Sequence, residues 1–401
     1  MNRLKKIYCR VFQKGLKIAL PFLPYRKPKI VKDVTQIPDI LHKKHYESVL
    51  IITDADISRL GLTKQLELAL IDAGIVYVMY DRTVANPTTD NVNEALDLYK
   101  KHDCRAIIGF GGGSSIDCAK AVGAKVAKPK QSIAKMKGIL KVHKRLPLLI
   151  AIPTTAGTGS ETTLAAVITD AQTRYKYAIN DFPLIPRYAV LDPRVTISLP
   201  PFVTATTGMD ALTHAVEAYI GQSTTPGTRK DALMAVELIF QNLDQAYFNG
   251  KNIQARANML KAAYYAGCAF TKSYVGYVHA VAHSLGGEYN VPHGLANAIL
   301  LPFVLEEYGT CIHKKLKNLA IAAGVADDKM PDDEAAKAFI EAIKDMKTRY
   351  GIGDTVKEIR EEDIAKLSHY ADKEANPLYP VPVLMNAKEL EKFYYMLMEE
   401  A

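Results

Sequence analysis

Ala106-Ile-Ile-Gly-Phe-Gly-Gly-Gly-Ser-Ser-Ile-Asp-Cys-Ala-Lys-Ala-Val122 runs from an apolar stretch long enough for one buried strand, through three consecutive glycines, into a helical pattern. Glycine lets a backbone approach a ligand closely and adopt positive φ. Ser is a good helix N-cap. A helix N-terminus, with unpaired N–H groups and the positive end of the dipole, holds phosphate. A steric need at a strand-to-helix turn accounts for the glycines equally well. The stretch is neither Gly-x-Gly-x-x-Gly nor a P-loop closing on Gly-Lys-Ser/Thr.

Outward from this turn, strand-like runs recur at 48–53, 75–80, 105–109, 148–152 and 187–191. Helical stretches at Lys64–Ala73, Asp90–His102 and Ser115–Lys125 separate the first four. That alternation predicts a parallel α/β sheet. A second Gly/Thr-rich loop, Leu149-Ile-Ala-Ile-Pro-Thr-Thr-Ala-Gly-Thr-Gly-Ser-Glu-Thr162, again follows a buried-strand pattern and offers hydroxyls and amides suited to phosphate or ribose. From Val203 onward a 3.6-residue period dominates, as in Asp231–Phe248, Gln254–Phe270, Glu334–Lys347 and Lys388–Met398. There is no internal repeat and no low-complexity tract.

The helical half carries the second chemical signal. Asp210 and His214 stand four residues apart, so on a helix they share a face. His279 and His283 repeat that spacing, and His293 follows beyond a Gly-Gly turn. One carboxylate with several imidazoles suits Fe(II), Zn(II) or a similar divalent ion. Histidines hydrogen-bonded inside an Ala/Val-rich core are the plainer alternative.

Taken together, Gly111 to Lys120, Pro153 to Glu161, Gly208 to Tyr219, and His279-Ala-Val-Ala-His283 through Pro292-His-Gly-Leu-Ala-Asn-Ala-Ile-Leu-Leu-Pro302 resemble the iron-containing (metal-dependent) alcohol dehydrogenase family, in its order and spacing. The resemblance covers roughly residues 48 to 400. It implies an N-terminal Rossmann-like parallel α/β domain (29–197) followed by a C-terminal all-helical metal-binding domain (198–401), after an extension at 1–28. It implies Asp210, His214, His279 and His293 as metal ligands, with Fe(II), alternatively Zn(II), and His283 beside them as a proton relay. Gly111, Gly112, Gly113 and Ser114 would hold the pyrophosphate of NAD, with Asp117 at the same helix start. Thr154, Thr155 and Thr158 would line the nicotinamide side, and Asn86 and Phe270 would border the substrate cleft between the two halves. The resemblance also implies that Asp54 lies near the adenosine ribose, where a carboxylate favours NAD over NADP without excluding the latter. The family's opening strand is not legible before Ser48.

The implied reaction is NAD(P)-linked oxidation of an alcohol, or reduction of an aldehyde, with a Lewis-acid metal polarising the substrate oxygen. A dehydroquinate-synthase-like lyase would need basic residues around a polyanionic substrate. Among Arg229, Lys230, Lys251, Arg256, Lys261 and Lys272, none is adjacent to a proposed ligand. A membrane-associated non-catalytic protein is disfavoured because all four ligand positions are filled.

Five scattered cysteines without a C-x-x-C pair fit a reducing, cytoplasmic setting. No cleavable signal and no membrane span is legible. The net charge of +8 is localised: residues 1–30 hold nine basic residues and no acid, leaving 42 basic against 43 acidic elsewhere. Nucleic acid is therefore not an expected partner. The expected partners are a small alcohol or aldehyde, a second copy of the chain, and a membrane surface met by residues 1–28. In that extension Leu4, Ile7, Tyr8, Val11, Phe12 and Leu16 follow helical spacing, with Arg3, Lys6, Arg10, Lys14 and Lys17 opposite. Such a helix lies on an anionic membrane or docks on a partner. A helix packed on its own enzyme fits the pattern too.

Overall fold

The computed structural model describes residues 1–398. The chain forms two compact units, Pro24–Ser198 and a second made of Met1–Leu23 together with the chain from Leu199 onward. Residues 1–28, set apart in the sequence as an extension, are thus divided between the two. Helix α1 (Arg3–Ala19) belongs to the second unit.

The first unit begins β1 (Lys29–Val31), α2 (Ile37–His42), β2 (Ser48–Ile52), α3 (Ala55–Arg59), α4 (Lys64–Asp72), β3 (Val76–Tyr80), α5 (Thr89–Lys101). It continues β4 (Ala106–Gly111), α6 (Gly113–Ala127), β5 (Gly138–Ile139), β6 (Leu148–Pro153), β7 (Ala165–Thr169), β8 (Lys176–Asn180), β9 (Tyr188–Val190). Six strands form a sheet in the order β1-β9-β6-β4-β2-β3, with every pair parallel. Every residue of β4 and β6 is buried. Central strands covered on both faces need such continuous apolar runs. Successive side chains face opposite ways. Leu50, Ile52 and Ile107 therefore pack with Val92, Ala95 and Val122 of α5 and α6. Val49, Ile51 and Ile108 pack with Ile37 and Leu41 of α2 and Leu70 of α4.

Strand β1 supplies the opening strand that the sequence did not disclose. It has three residues, two of them exposed, and pairs only with β9 at the sheet edge. A second sheet, β5-β8-β7, also lay outside the expected pattern. Its β7–β8 pair is antiparallel and buries alternate residues, Ala166 and Ile168 against Tyr177 and Ile179.

Strands β3 and β4 flank β2 on opposite sides. The connections therefore diverge there, and the C-terminal ends of β2 and β4 form the topological switch point where such sheets bind ligands. Asp54 follows β2, and Gly112 follows β4.

The helical unit continues through α7 (Pro201–Ile220), α8 (Pro226–Phe248), α9 (Ile253–Ser273), α10 (Tyr277–Tyr289) and α11 (His293–Tyr308). It closes with α12 (His313–Ala322), α13 (Asp332–Arg349), α14 (Glu361–Ala375) and α15 (Ala387–Leu397). Pro201 opens α7, where its missing N–H costs nothing. From Thr204 to Ile220 all but Thr207 are buried, which makes α7 the central helix of its unit. The run His293–Ala322 is long and apolar enough to cross a membrane, but 61% of its apolar window is buried inside the protein. It serves as core.

Candidate active site

Three helices bring four ligand-type side chains together. Asp210 and His214 come from α7, His279 from α10, and His293 from the first residue of α11. One ligand atom from each lies within 4.8 Å of all the others. Asp210 Oδ1 is 3.4 Å from His293 Nε2, 3.9 Å from His279 Nε2 and 4.0 Å from His214 Nδ1. These separations exceed hydrogen-bond distance. Ligands at about 2.0–2.2 Å around a tetrahedral ion stand about 3.3–3.6 Å apart, so the 3.4 Å edge matches such a shell and the other two are a few tenths of an ångström wider.

Burial supports the same fit. Asp210, His214 and His279 are buried, and His293 is partly exposed. His279 Nε2 is enclosed and makes no hydrogen bond among the described residues. Leaving such an atom unsatisfied is costly, whereas a cation at the centre of the cluster satisfies it. Burial first, then the neighbouring His214, His293 and His283, hold the His279 imidazole well below its ordinary pKa. It is therefore neutral, the state a metal ligand requires.

Glu217, which the sequence reading passed over, orients that imidazole. Its Oε2 accepts from His279 Nδ1 at 2.6 Å and from the Gly276 N–H at 2.8 Å, and its Oε1 accepts from the Val278 N–H at 2.8 Å. The proton is thereby kept on Nδ1, and the Nε2 lone pair faces Asp210. Burial pushes the Glu217 carboxyl up to about 7, against the pull of those N–H donors. A lone acid in the apolar run Ala215-Val-Glu-Ala-Tyr-Ile220 was the available signal. Glu217→Gln is expected to weaken metal binding about 10–100-fold, as loss of such an outer partner usually does. Chelator competition measures this, and unchanged affinity would refute the orienting role.

Asn297, one turn after His293, was also missed. Its Nδ2 donates to Asp210 Oδ1 at 2.7 Å and lies 3.1 Å from His293 Nε2. Gly294 lets the start of α11 come this close to α7, since a Cβ there would meet the Thr206 carbonyl oxygen at 2.6 Å.

Phe270 and His283 both lie against the cluster. The Phe270 ring stacks on His214 with centroids 4.1 Å apart and planes 11° from parallel. His283 stacks on His293 at 5.1 Å, outside the group of four donors. Its Nδ1 is 2.6 Å from Glu374 Oε1, which also accepts from the Tyr379 hydroxyl at 2.7 Å. The His283 side chain is 42% exposed, so the imidazole reaches from the cluster to solvent.

The remaining sequence-derived residues belong to the α/β unit. Gly112, not a serine, is the N-cap of α6, and it carries no side-chain cap. The first turn therefore keeps its amides clear of a competing side chain, while Ser114 and Ser115 sit inside the helix. Gly111 has φ +148, and a Cβ there would meet Ser115 Oγ at 2.6 Å and Asp54 Oδ2 at 3.4 Å. Only glycine fits. Asp54 caps α3 by accepting from the Ile57 N–H at 2.9 Å, and Ser115 Oγ donates to its other oxygen at 3.4 Å.

In the second loop the Thr154 N–H donates to Gly111 O at 3.0 Å, carrying the β4–β6 ladder into the turn. Thr155 and Thr158 flank Gly112 and Gly113. Asp117 accepts from Ser160 Oγ at 2.7 Å and from the Val167 N–H at 3.0 Å, so it ties this loop to α6. Lys120 does the same from full burial, donating to Ser160 Oγ, Thr163 Oγ1 and Ala165 O. Burial pushes its ammonium down to about 8. Asn86 has φ 57, its N–H donates to Ser114 Oγ at 3.3 Å, and its Oδ1 accepts from Lys176 Nζ at 2.7 Å. Within its unit it therefore belongs with the phosphate-loop candidates.

A switch-point glycine turn on a doubly wound sheet and an Asp-His cluster that suits a divalent ion are the parts a metal-dependent dehydrogenase requires. Comparison with known proteins agrees. Residues 31–193 match the family described as iron-containing alcohol dehydrogenase, and residues 204–398 match its C-terminal region. The chain belongs to this iron-containing alcohol dehydrogenase family.

It is 36% identical over 352 residues to the 1,3-propanediol dehydrogenase of Citrobacter freundii, covering 87% of this chain and 90% of that one. It is 36% identical over 344 residues to the NAD-dependent methanol dehydrogenase of Bacillus methanolicus, covering 85% and 89%. A crystal structure of 1,3-propanediol oxidoreductase superposes with a TM-score of 0.88 at 33% identity, covering 92% of this chain and 97% of that one. The protein is a metal-dependent alcohol dehydrogenase that uses a nicotinamide dinucleotide. Neither the lyase nor the non-catalytic reading is favoured.

Proposed function

We propose that the chain interconverts a small aliphatic alcohol and its aldehyde, with NAD as the preferred dinucleotide and Fe(II), alternatively Zn(II), held by Asp210, His214, His279 and His293. The convergence of these four donors within 4.8 Å, around a neutral, buried His279, carries the reading. When bound, the metal supplies a Lewis acid that eases deprotonation of the alcohol, and the dinucleotide supplies the hydride acceptor. Glu217 and Phe270 hold His279 and His214 in place. His283, bonded to Glu374 and open to solvent, takes the alcohol proton outward. Gly111 to Ser114 receive the pyrophosphate at the start of α6, with Asp117 fixing the second loop that presents Thr154, Thr155 and Thr158. Asn86 supports Ser114 at the edge of that site. Free thiols at all five cysteines fit a cytoplasmic enzyme.

The test is an NADH-oxidation screen over aldehydes of increasing chain length, on metal-stripped protein reloaded with each ion. The expected result is turnover of short aldehydes with NADH well ahead of NADPH. Asp54→Gly should narrow that preference, because it removes the carboxylate that repels a 2′-phosphate. Equal efficiency with both cofactors in the unmutated protein would dismiss the Asp54 assignment.

A further inference from the structure

Helix α1 turns the strip that carries Cys9 and Gln13 inward. Cys9 and Gln13 are buried. Gln13 Nε2 donates to Tyr379 O at 2.7 Å and to Pro377 O at 3.2 Å. The Arg10 guanidinium donates to Val381 O and Pro382 O, both at 2.7 Å, and Lys5 pairs with Asp372 at 2.9 Å. The segment 377–382 thus grips one polar face of the helix.

The apolar row is left on the other side. At 3.6 residues per turn Leu4, Ile7, Val11 and Ile18 lie opposite Cys9 and Gln13, with Tyr8 beside them and Phe22 just beyond the helix end. Their exposures are 80%, 52%, 66%, 64%, 60% and 85%. Single exposed apolar side chains are ordinary, but several large ones along one helix face mark an interaction surface. A helix that served only to cover its own enzyme would turn this row inward. An open groove of about 500 Å³ beside Ile7, Val11 and Val383 widens the apolar surface.

Charge identifies the occupant. Arg3, Lys6, Lys14 and Lys17 are exposed along one edge of the row, and residues 1–30 contain no acid. A second copy of the chain would set the same basic edge against itself, and like charges in apposition oppose docking. An anionic lipid surface accepts both features, apolar side chains at the acyl boundary and ammonium groups among the headgroups. We propose that α1 docks this protein peripherally on anionic lipid, lying in the plane of the surface with its polar face clamped to the helical unit. The docking is independent of the reaction assigned above.

The experiment sediments the full-length protein with phosphatidylcholine vesicles containing about one-third phosphatidylserine, and with pure phosphatidylcholine, at low and high salt. Binding is expected only to the anionic vesicles and only at low salt. Val11→Glu combined with Ile7→Glu should abolish it, and Lys6→Gln or Lys14→Gln should each weaken it about fivefold. All these variants should keep wild-type turnover and melting temperature, because the side chains changed are exposed. Equal binding to both vesicle types, or to neither, would overturn the proposal. So would a drop in molar mass by light scattering in the double variant with vesicle binding intact, which would assign the row to a second copy.

Discussion

Replacing His279 with alanine is expected to strip the protein of metal and reduce turnover to background while the α/β unit stays folded. His279 is held at both ring nitrogens: its Nε2 faces Asp210 at 3.9 Å and its Nδ1 is bound by Glu217 at 2.6 Å. The alanine variant loses one coordination position and leaves the buried Glu217 carboxyl short of one partner, a penalty of about 1–3 kcal/mol. His293→Ala should have the same consequence for metal, because its Nε2 is the histidine nitrogen nearest Asp210 Oδ1, at 3.4 Å. Elemental analysis of purified variants reads metal content, and NADH fluorescence reports on the α/β unit. Full metal occupancy in either variant would remove that residue from the ligand set.

His283→Ala should behave differently. Metal content is expected to stay at the wild-type level, and the rate should fall by roughly 10²–10⁴, the usual worth of a positioned proton-transfer group. His283 lies against His293, but its Nδ1 is engaged by Glu374 and its side chain opens to solvent. Free imidazole should restore part of the lost rate, which a purely structural defect would not allow. Loss of metal in this variant, with retention in His293→Ala, would exchange the two roles.

Short-range patterning disclosed the elements whose surroundings are uniform. Strands β2, β3, β4, β6 and β9 are visible as apolar runs, since β4 and β6 in particular are covered on both faces and tolerate nothing polar. The long helices follow their 3.6-residue period. Asp210 with His214, and His279 with His283, could be paired by eye because a helix converts a four-residue spacing into a shared face.

Other features depend on partners far along the chain, and no local pattern could disclose them. Glu217 meets His279 across 62 residues, and Glu374 meets His283 across 91. Only the packing of α7, α10 and α11 decides that four donor atoms fall within 4.8 Å. The amphipathic period of α1 was plain in the sequence, but not which side would face the protein. The carbonyls of Pro377, Tyr379, Val381 and Pro382 point at that position and accept from donors on the helix. Gln13 and Arg10 answer them, since a carbonyl shut away from water without a donor is costly.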